Sequence, residues 1–429
     1  MPDHRYGFES LCLHAGQQPD AVTGARAVPI YQSTSFVFDS PEQAAALFNL
    51  QTFGNVYSRI SNPTVAVFEE RMAALEGGSA ALATASGLSA QMTALLTLCQ
   101  QGDRIVAARN LYGGSYSQLD VSLRKLGIET VFVDPRDPEN FRTAIDQRTK
   151  LVYGEVIGNP GLDVLDIAAV AAISRDAGVP LVVDSTLASP WLCRPLEHGA
   201  DIVVHSATKY IGGHGTTMGG VIVESGRFPW DNGRFPQMTE PSPGYHGVVF
   251  FETFGDFGFV TKARMETLRT FGPALSPFSA FMLLQGLETL PVRMDRHVAN
   301  ARAVAGFLEA HAAVAWVNYP GTAGRADVAL VERYLPRGAG GILSFGIKGG
   351  QRAGERFIDA LEMFSHLANV GDARSLVIHP ASTTHRQLSE EEQIAAGVPP
   401  DMVRLSVGLE TLDDILWDLD QALSRCGAG

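Results

Sequence analysis

An α/β fold built on a buried, mostly parallel sheet, with a smaller α/β unit following it, is what this sequence predicts. Short continuous apolar runs rich in Val and Ile alternate with helical stretches, the pattern of strands covered on both faces and joined by crossover helices. Side chains with chemistry to offer stand at the C-terminal ends of two of those runs, Asp184 and Ser206 to Lys209, where ligands collect in such sheets. The chain's 429 residues suffice for two or three domains, each with its own core.

Residues 1–65 read as an N-terminal arm, ending in the extended stretch Asn55–Thr64 before a helix that begins near Pro63. Thr84-Ala-Ser-Gly-Leu88 then opens onto a helix-like run, Ser89–Leu98. Strand-like runs follow at Arg104–Ala108, Glu129–Val133, Lys150–Tyr153, Pro180–Asp184, Ile202–His205 and Gly220–Val223, with helices at Pro138–Ile145 and Ala168–Ala177. From about Phe228 to Phe271 the rhythm breaks at Pro229, Pro236, Pro241 and Pro243 among many Gly and aromatic residues, so this stretch reads as a long ordered insertion or a lid-like loop. Helical sequence from Pro277 to about Ala310 leads to a C-terminal unit with strands near Ile342–Ile347 and Val403–Val407, closed by an amphipathic helix, Leu412–Ser424. The boundaries drawn are an arm over 1–65, a large domain over 66–272 carrying the insertion at 228–271, and a C-terminal domain over 273–429.

Composition excludes some partners. With 33 basic against 46 acidic side chains and a net charge of -13, neither nucleic acid nor an anionic membrane suits the chain. Any anionic substrate must be caught by local arginines and backbone N–H groups. Cys12, Cys99, Cys193 and Cys426 form no CxxC pair, so neither a disulfide framework nor a zinc site is indicated, and no other metal site is expected. The start lacks the apolar core of a signal peptide and no run approaches the length of a membrane span, so a reducing cytoplasm is the expected location.

Lys209 lies in Ser206-Ala-Thr-Lys209-Tyr-Ile-Gly-Gly-His214, directly after an apolar run, and Asp184 ends the neighbouring run. Alone, the lysine reads as a solvated side chain near a loop and the aspartate as a helix cap. Together they suit pyridoxal 5'-phosphate (PLP), whose aldehyde condenses with a lysine and whose ring nitrogen is held by a carboxylate. Around them stands a phosphate cup. Gly87 permits close backbone approach at a helix start, where free N–H groups and the dipole favour an anion. Ser206 and Thr208 add hydroxyls, although each serves equally well as a loop cap. Tyr57 and Arg59, two residues apart on an extended segment, project on one side and suit the same phosphate, or else form an exposed turn before the helix. Tyr112, after a strand, offers a ring to lie over the pyridine, or simply half-buried packing.

In this order across nearly the whole chain, Tyr57-x-Arg59, Ser86-Gly87, Leu111-Tyr112-Gly113, Gly158-Asn159-Pro160, Asp184-Ser-Thr, Ser206-Ala-Thr-Lys209-Tyr and Arg404-Leu-Ser-Val-Gly-Leu-Glu410 resemble the cystathionine γ-synthase-like group of PLP enzymes. The resemblance implies fold type I, aspartate-aminotransferase-like, with a mostly parallel seven-stranded sheet and a smaller C-terminal α/β domain. It implies active sites shared across a dimer, usually paired into a homotetramer. Lys209 would bond the cofactor and shuttle protons, with Tyr112 and Tyr57 beside it as catalytic positions. Asp184 would keep the pyridine nitrogen protonated, and Tyr112 would stack on the ring. Ser86, Gly87, Leu88, Ser206 and Thr208 would bind phosphate, joined by Tyr57 and Arg59 of a neighbouring subunit. Arg404 would take the substrate carboxylate, Asn159 would orient that carboxylate or the cofactor hydroxyl, and Ser375 would add to the pocket.

Within the group, the run from Asn369-Val-Gly371-Asp-Ala-Arg374-Ser375 to His379 and His385 resembles the sulfhydrylase branch that acts on O-acetylhomoserine, as do Thr239–Gly247 and Leu275–Leu290. Cystathionine-processing relatives often carry a glutamate where Arg374 stands, and methionine γ-lyases a cysteine where Gly114 stands. Both departures imply a small sulfur nucleophile, with Arg374 repelling an incoming ammonium. The expected reaction is γ-replacement: O-acetyl-L-homoserine and sulfide, or methanethiol, give L-homocysteine, or methionine, and acetate. An O-succinylhomoserine sulfhydrylase, a cystathionine γ-synthase or a γ-lyase of the same group is the alternative.

Overall fold

The computed structural model describes residues 5–383, 386, 391 and 397–426; the first four residues and the Thr384–His385 end of the C-terminal motif lie outside them. All six strand-like runs become strands of one sheet, numbered with a further first strand: β1 (Ala80–Thr84), β2 (Arg104–Ala108), β3 (Glu129–Val133), β4 (Thr149–Glu155), β5 (Leu181–Asp184), β6 (Ile202–Ser206) and β7 (Gly220–Glu224). The sequence reading missed β1, whose alanines carry little of the β-branched signal that marks the others.

The strand order is β1-β7-β6-β5-β4-β2-β3, making seven strands. β2 to β6 run parallel, while β7 is antiparallel to both β6 and β1. Parallel running gathers the C-terminal ends of β4, β5 and β6 on one edge, and Glu155 of β4 pairs in register with Asp184 of β5. The chain turns back from β6 to β7 through residues 207–219, so the turn bearing Lys209 sits at that same edge.

A second sheet of five strands has the order β10-β11-β12-β9-β8, from β8 (Val314–Asn318), β9 (Ile342–Ile347), β10 (Ser365–His366), β11 (Leu376–Ile378) and β12 (Met402–Ser406). The helical stretch before it divides into Pro277–Glu288 and Leu290–Ala310, parted at Thr289, with Pro291 in the second helix's first turn. The longer helix ties the two sheets together. Its Arg293 donates to the Tyr210 carbonyl at 2.8 Å, its His297 ring faces the Val407 carbonyl at 2.7 Å, and its Asn300 donates to the Gly408 carbonyl at 3.0 Å.

The stretch from Phe228 to Phe271 is ordered and mostly helical, and not a lid. Phe228, Trp230, Phe235 and Phe259 are buried in one aromatic cluster, with Trp230 stacked on Phe259 at 5.6 Å between centroids. Glu224, the last residue of β7, anchors it. Its carboxylate accepts the N–H groups of Phe259 and Val260 at 3.3 and 2.8 Å, at the start of the helix Gly258–Lys262. Among the described residues no helix is long and apolar enough to cross a membrane.

Burial pushes the Glu224 carboxyl up from 4.5 to about 8. A carboxyl whose pKa is raised on folding contributes stability that is complete below its unfolded value and is lost as pH rises through the folded one. Thermal unfolding of the wild type should therefore occur at falling temperature between about pH 4.5 and 8. Glu224→Gln, followed by calorimetry across that window, should flatten this slope; an unchanged slope would place the titration elsewhere.

Candidate active site

The turn after β6 is built to hold a lysine still. The N–H of Lys209 donates to the Ser206 carbonyl at 3.2 Å, and Gly213 N–H closes onto the Lys209 carbonyl at 2.7 Å. From behind, Arg293 is buried against the Tyr210 and Ile211 carbonyls. The Lys209 amine donates to the Asn369 side-chain oxygen at 2.5 Å. Burial, and after it the charge of Arg404, push the amine below the ordinary lysine value, in the direction a base at neutral pH requires.

Asp184 ends β5 with its carboxylate accepting the Thr186 N–H at 2.8 Å. Burial raises its pKa, and hydrogen bonds from Thr186 and Tyr153 partly oppose that. Thr186 also accepts the Ser206 N–H at 2.8 Å, locking the ends of β5 and β6 together. Beside Asp184 lies a second buried carboxyl, Glu155, held well above its usual range by burial and by Asp184. Its oxygen accepts the Tyr112 N–H at 2.7 Å. The Tyr112 ring is 52% exposed at the mouth of the cleft. Gly114 lets it lie there, since a Cβ on that residue would meet the ring at 2.5 Å.

The phosphate cup forms where the turn of Lys209 meets the helix Gly87–Leu98. A Cβ on Gly87 would stand 2.6 Å from the Ser206 Cβ, so only glycine lets the two backbones approach this closely. The Gly87 and Leu88 N–H groups belong to the first turn, which has no intrahelical acceptor. Ser86 spends its hydroxyl as the N-cap, accepting from Ser89 N–H at 3.1 Å. Thr208 exchanges hydrogen bonds with Gly219 in both directions. Ser206 and Thr208 were expected to offer hydroxyls to the phosphate and Ser86 to stand among its neighbours; of the three, the Ser206 hydroxyl is the one with no hydrogen bond among the described residues.

Arg404, on β12, faces the same cleft from the second sheet. Its guanidinium is 3.5 Å from the Asn159 side-chain oxygen, and burial lowers its pKa. It forms no ion pair among the described residues, which leaves it suited to an external carboxylate. Two expected substrate contacts do not join it. Ser375 is fully buried and spent: its hydroxyl donates to Glu410 at 2.8 Å and accepts the Gly408 N–H at 2.9 Å. Arg374 consequently turns outward and is exposed, and its backbone N–H alone is engaged, by Asp372 at 3.1 Å. The claim that Arg374 selects the nucleophile loses its geometric support in the single chain. Tyr57 and Arg59 are exposed on the arm, with the Arg59 guanidinium 5.0 Å from the Tyr57 ring centroid.

Sequence reasoning missed Glu155, Tyr153 and Gln91, whose oxygen accepts the Tyr153 hydroxyl at 2.9 Å, and gave Asn369 no role although it lay in a quoted motif. A carboxylate closing an apolar run was the available signal for Glu155, the one already used for Asp184. The assembled donor set fits PLP. A desolvated amine, a buried carboxyl without a salt bridge at the adjoining strand end, a glycine-lined helix start and an unpaired guanidinium supply one partner for each polar part of the cofactor and its amino-acid substrate.

Residues 9–424 match the family described as Cys/Met metabolism PLP-dependent enzyme. The O-acetyl-L-homoserine sulfhydrylase of Leptospira meyeri is 56% identical over 97% of this chain and 96% of its own. The homocysteine synthase of Schizosaccharomyces pombe is 54% identical over 99% of both. Among solved structures, an O-acetylhomoserine (thiol)-lyase from Campylobacter jejuni, determined with N'-pyridoxyl-lysine-5'-monophosphate, superposes with a TM-score of 0.94 at 39% identity, covering 98% of this chain and 100% of that one.

Gly87→Ala tests the cup directly. The added methyl must push the helix start away from Ser206, weakening one or two charge-assisted hydrogen bonds to phosphate, so cofactor affinity should fall roughly tenfold to a hundredfold. Titration of the stripped protein with PLP, followed by absorbance, measures this; unaltered affinity would move the phosphate elsewhere.

Proposed function

The chain belongs to the Cys/Met metabolism PLP-dependent enzymes, and from that premise we propose that it catalyses γ-replacement on O-acetyl-L-homoserine, with sulfide giving L-homocysteine and acetate, and methanethiol giving methionine. The observation that carries this reading is the cleft in which the Lys209 amine and the Arg404 guanidinium feel each other's charge, each short of solvent and neither paired with a carboxylate among the described residues. It offers a base and an anion receptor for one amino-acid substrate.

PLP, when bound, supplies an electron sink that acidifies the substrate's Cα and Cβ positions. Lys209 would hold it covalently, Asp184 would face its ring nitrogen, and Tyr112 would cover the ring. The Gly87 and Leu88 N–H groups with Ser206 would take its phosphate. Arg404 binds the substrate carboxylate, with Asn159 steadying the guanidinium, and so fixes Cα within reach of Lys209. Lys209, whose charged form burial and Arg404 disfavour, takes the Cα proton, passes it on to the cofactor, which would hold it meanwhile, and being a free base again then takes a Cβ proton. The Cγ–O bond breaks, acetate departs with its electron pair, and a Cγ–S bond forms from sulfide. Lys209 returns the protons to Cβ and Cα.

The assembly completes the site in the same proposal. Val22, Ile30, Val37, Phe53 and Tyr57 of the arm are exposed on the single chain, Val37 to 97%, and apolar surface of that kind is normally covered by a partner. We infer a homotetramer, a dimer of dimers, in which Tyr57 and Arg59 reach the phosphate of a neighbouring subunit. The four buried free thiols support a reducing cytoplasm as its location.

Purified protein should convert O-acetyl-L-homoserine and sulfide to homocysteine more efficiently than the O-succinyl ester, as read by product analysis with sulfide, methanethiol and cysteine in parallel. Cystathionine as the main product, or preference for the succinyl ester, would overturn the reading. Lys209→Ala should lose turnover by at least about a hundredfold and no longer become tagged on borohydride reduction. Mixing inactive Arg59→Ala with inactive Lys209→Ala subunits should restore part of the activity; none recovered after proven subunit exchange would refute the shared site.

A further inference from the structure

The segment after β10 brings Asn369 from the second sheet to the lysine of the first, where the amide oxygen lies 2.5 Å from the Lys209 amine. That segment is fastened to the turn it meets. Gly371 donates its N–H to the Ser406 hydroxyl at 3.0 Å, and Ala373 donates to the Gly213 carbonyl at 2.9 Å. Gly371 has a φ of +74°. A Cβ there would stand 2.8 Å from the Tyr210 nitrogen and 3.1 Å from the Lys209 carbonyl carbon, so this glycine is needed both for its left-handed backbone and for the approach.

We propose that Asn369 is a positioning residue for the Lys209 amine: its side-chain oxygen holds Nζ whenever the lysine is not bonded to the cofactor, keeping the base beside the substrate through successive proton transfers. The inference rests on the PLP reading of the cleft and deepens it. A freed lysine has four rotatable side-chain bonds and must serve more than one carbon without wandering. Beside it opens a cavity of about 450 Å³ lined by Asn369 together with Thr208, Thr216, Thr217, Met218 and Ser279, among others, and the lining includes no charged residue. Asn369 both borders this cavity and accepts from the Lys209 amine.

An amide suits this task better than a carboxylate. Either would accept a hydrogen bond, but a carboxylate would also stabilise the ammonium and so keep the proton that a base must lose. Around the amine, Arg404 on β12 opposes the charged form. Asp184 and Glu155 lie at the neighbouring strand ends, Arg293 is engaged with carbonyls behind the turn, and the Asp372 carboxylate faces Gly215. The amide adds restraint without altering that balance of charge.

Two variants test it on the full-length protein. In the isosteric Asn369→Asp, freed of cofactor, the midpoint pH for modification of Lys209 by an amine-directed reagent, read by mass spectrometry of its peptide, should rise by about one unit or more. Asn369→Ala holoenzyme should lose kcat by about tenfold or more while KM changes little, because the base is displaced and the carboxylate site is not. An unshifted midpoint in the aspartate variant, or wild-type kcat in the alanine variant, would overturn the proposal. Should the alanine variant fail to fold, the midpoint in the aspartate variant decides alone. Wild-type protein that fails to act on O-acetylhomoserine would instead strike the reaction assignment, which the modification midpoint does not depend on.

Discussion

Two cations share one partly desolvated cleft, and much of the chemistry follows from how that conflict is resolved. A guanidinium keeps its proton in a protein, whereas an ammonium gives its proton up when burial and like charge make it costly. The consequence therefore falls on Lys209, whose pKa is lowered by desolvation and by Arg404. One arrangement yields both functional groups: a fixed positive charge for a carboxylate, and an amine disposed to be neutral. Had an aspartate paired with either, the receptor would be filled or the base would stay protonated.

Such a conflict persists only in a frame that cannot relax away from it. Lys209 belongs to the seven-stranded sheet and Arg404 to the five-stranded one, so the cleft depends on how the two are joined. The helix Leu290–Ala310 supplies part of the joint through Arg293, His297 and Asn300. The remainder comes from the close contact of Gly371 with the Lys209 turn and from the Tyr210 hydroxyl, which accepts the Gly341 N–H at 3.1 Å. These contacts use backbone groups, which have little freedom to swing apart, and glycine is what allows the chains to come that near.

The sheet was legible because strands covered on both faces must be apolar throughout, and Val-Ile runs such as Ile202–His205 and Leu181–Val183 say so directly. Asp184 was legible for a related reason, since a polar residue closing such a run is out of place unless it meets a ligand, and Lys209 followed from the company it keeps just beyond the next run; Arg404, in the middle of β12, was marked by the family resemblance alone. β1 was hidden by its alanines, which suit a helix as well as a strand. Ser375 and Arg374 were misread because order along the chain does not tell which way a short segment faces. Once Ser375 turned inward to Glu410, its neighbour had to turn outward. The stretch after Phe228 left an ordered insertion and a lid-like loop both open, and only the fold shows that its aromatic residues pack on one another.

Asp184 and Glu155 make the opposite pole of the cleft. They stand in register on adjoining strands, both raised in pKa by burial, with Asp184 adding to the cost of ionising Glu155. Two carboxyls so placed resist being fully ionised together until a positive group arrives to share their field. A protonated pyridine nitrogen is such a group. At the other pole stand Lys209 and Arg404, chemically suited to an aldehyde and a carboxylate. Desolvated carboxyls at one end and desolvated basic groups at the other give the cleft a direction, one that would suit a cofactor whose ring nitrogen and electrophilic carbon lie at opposite ends of one ring. Glu155 also accepts the Tyr112 N–H, so a carboxyl of the acidic pole helps to fix the backbone from which the Tyr112 ring projects.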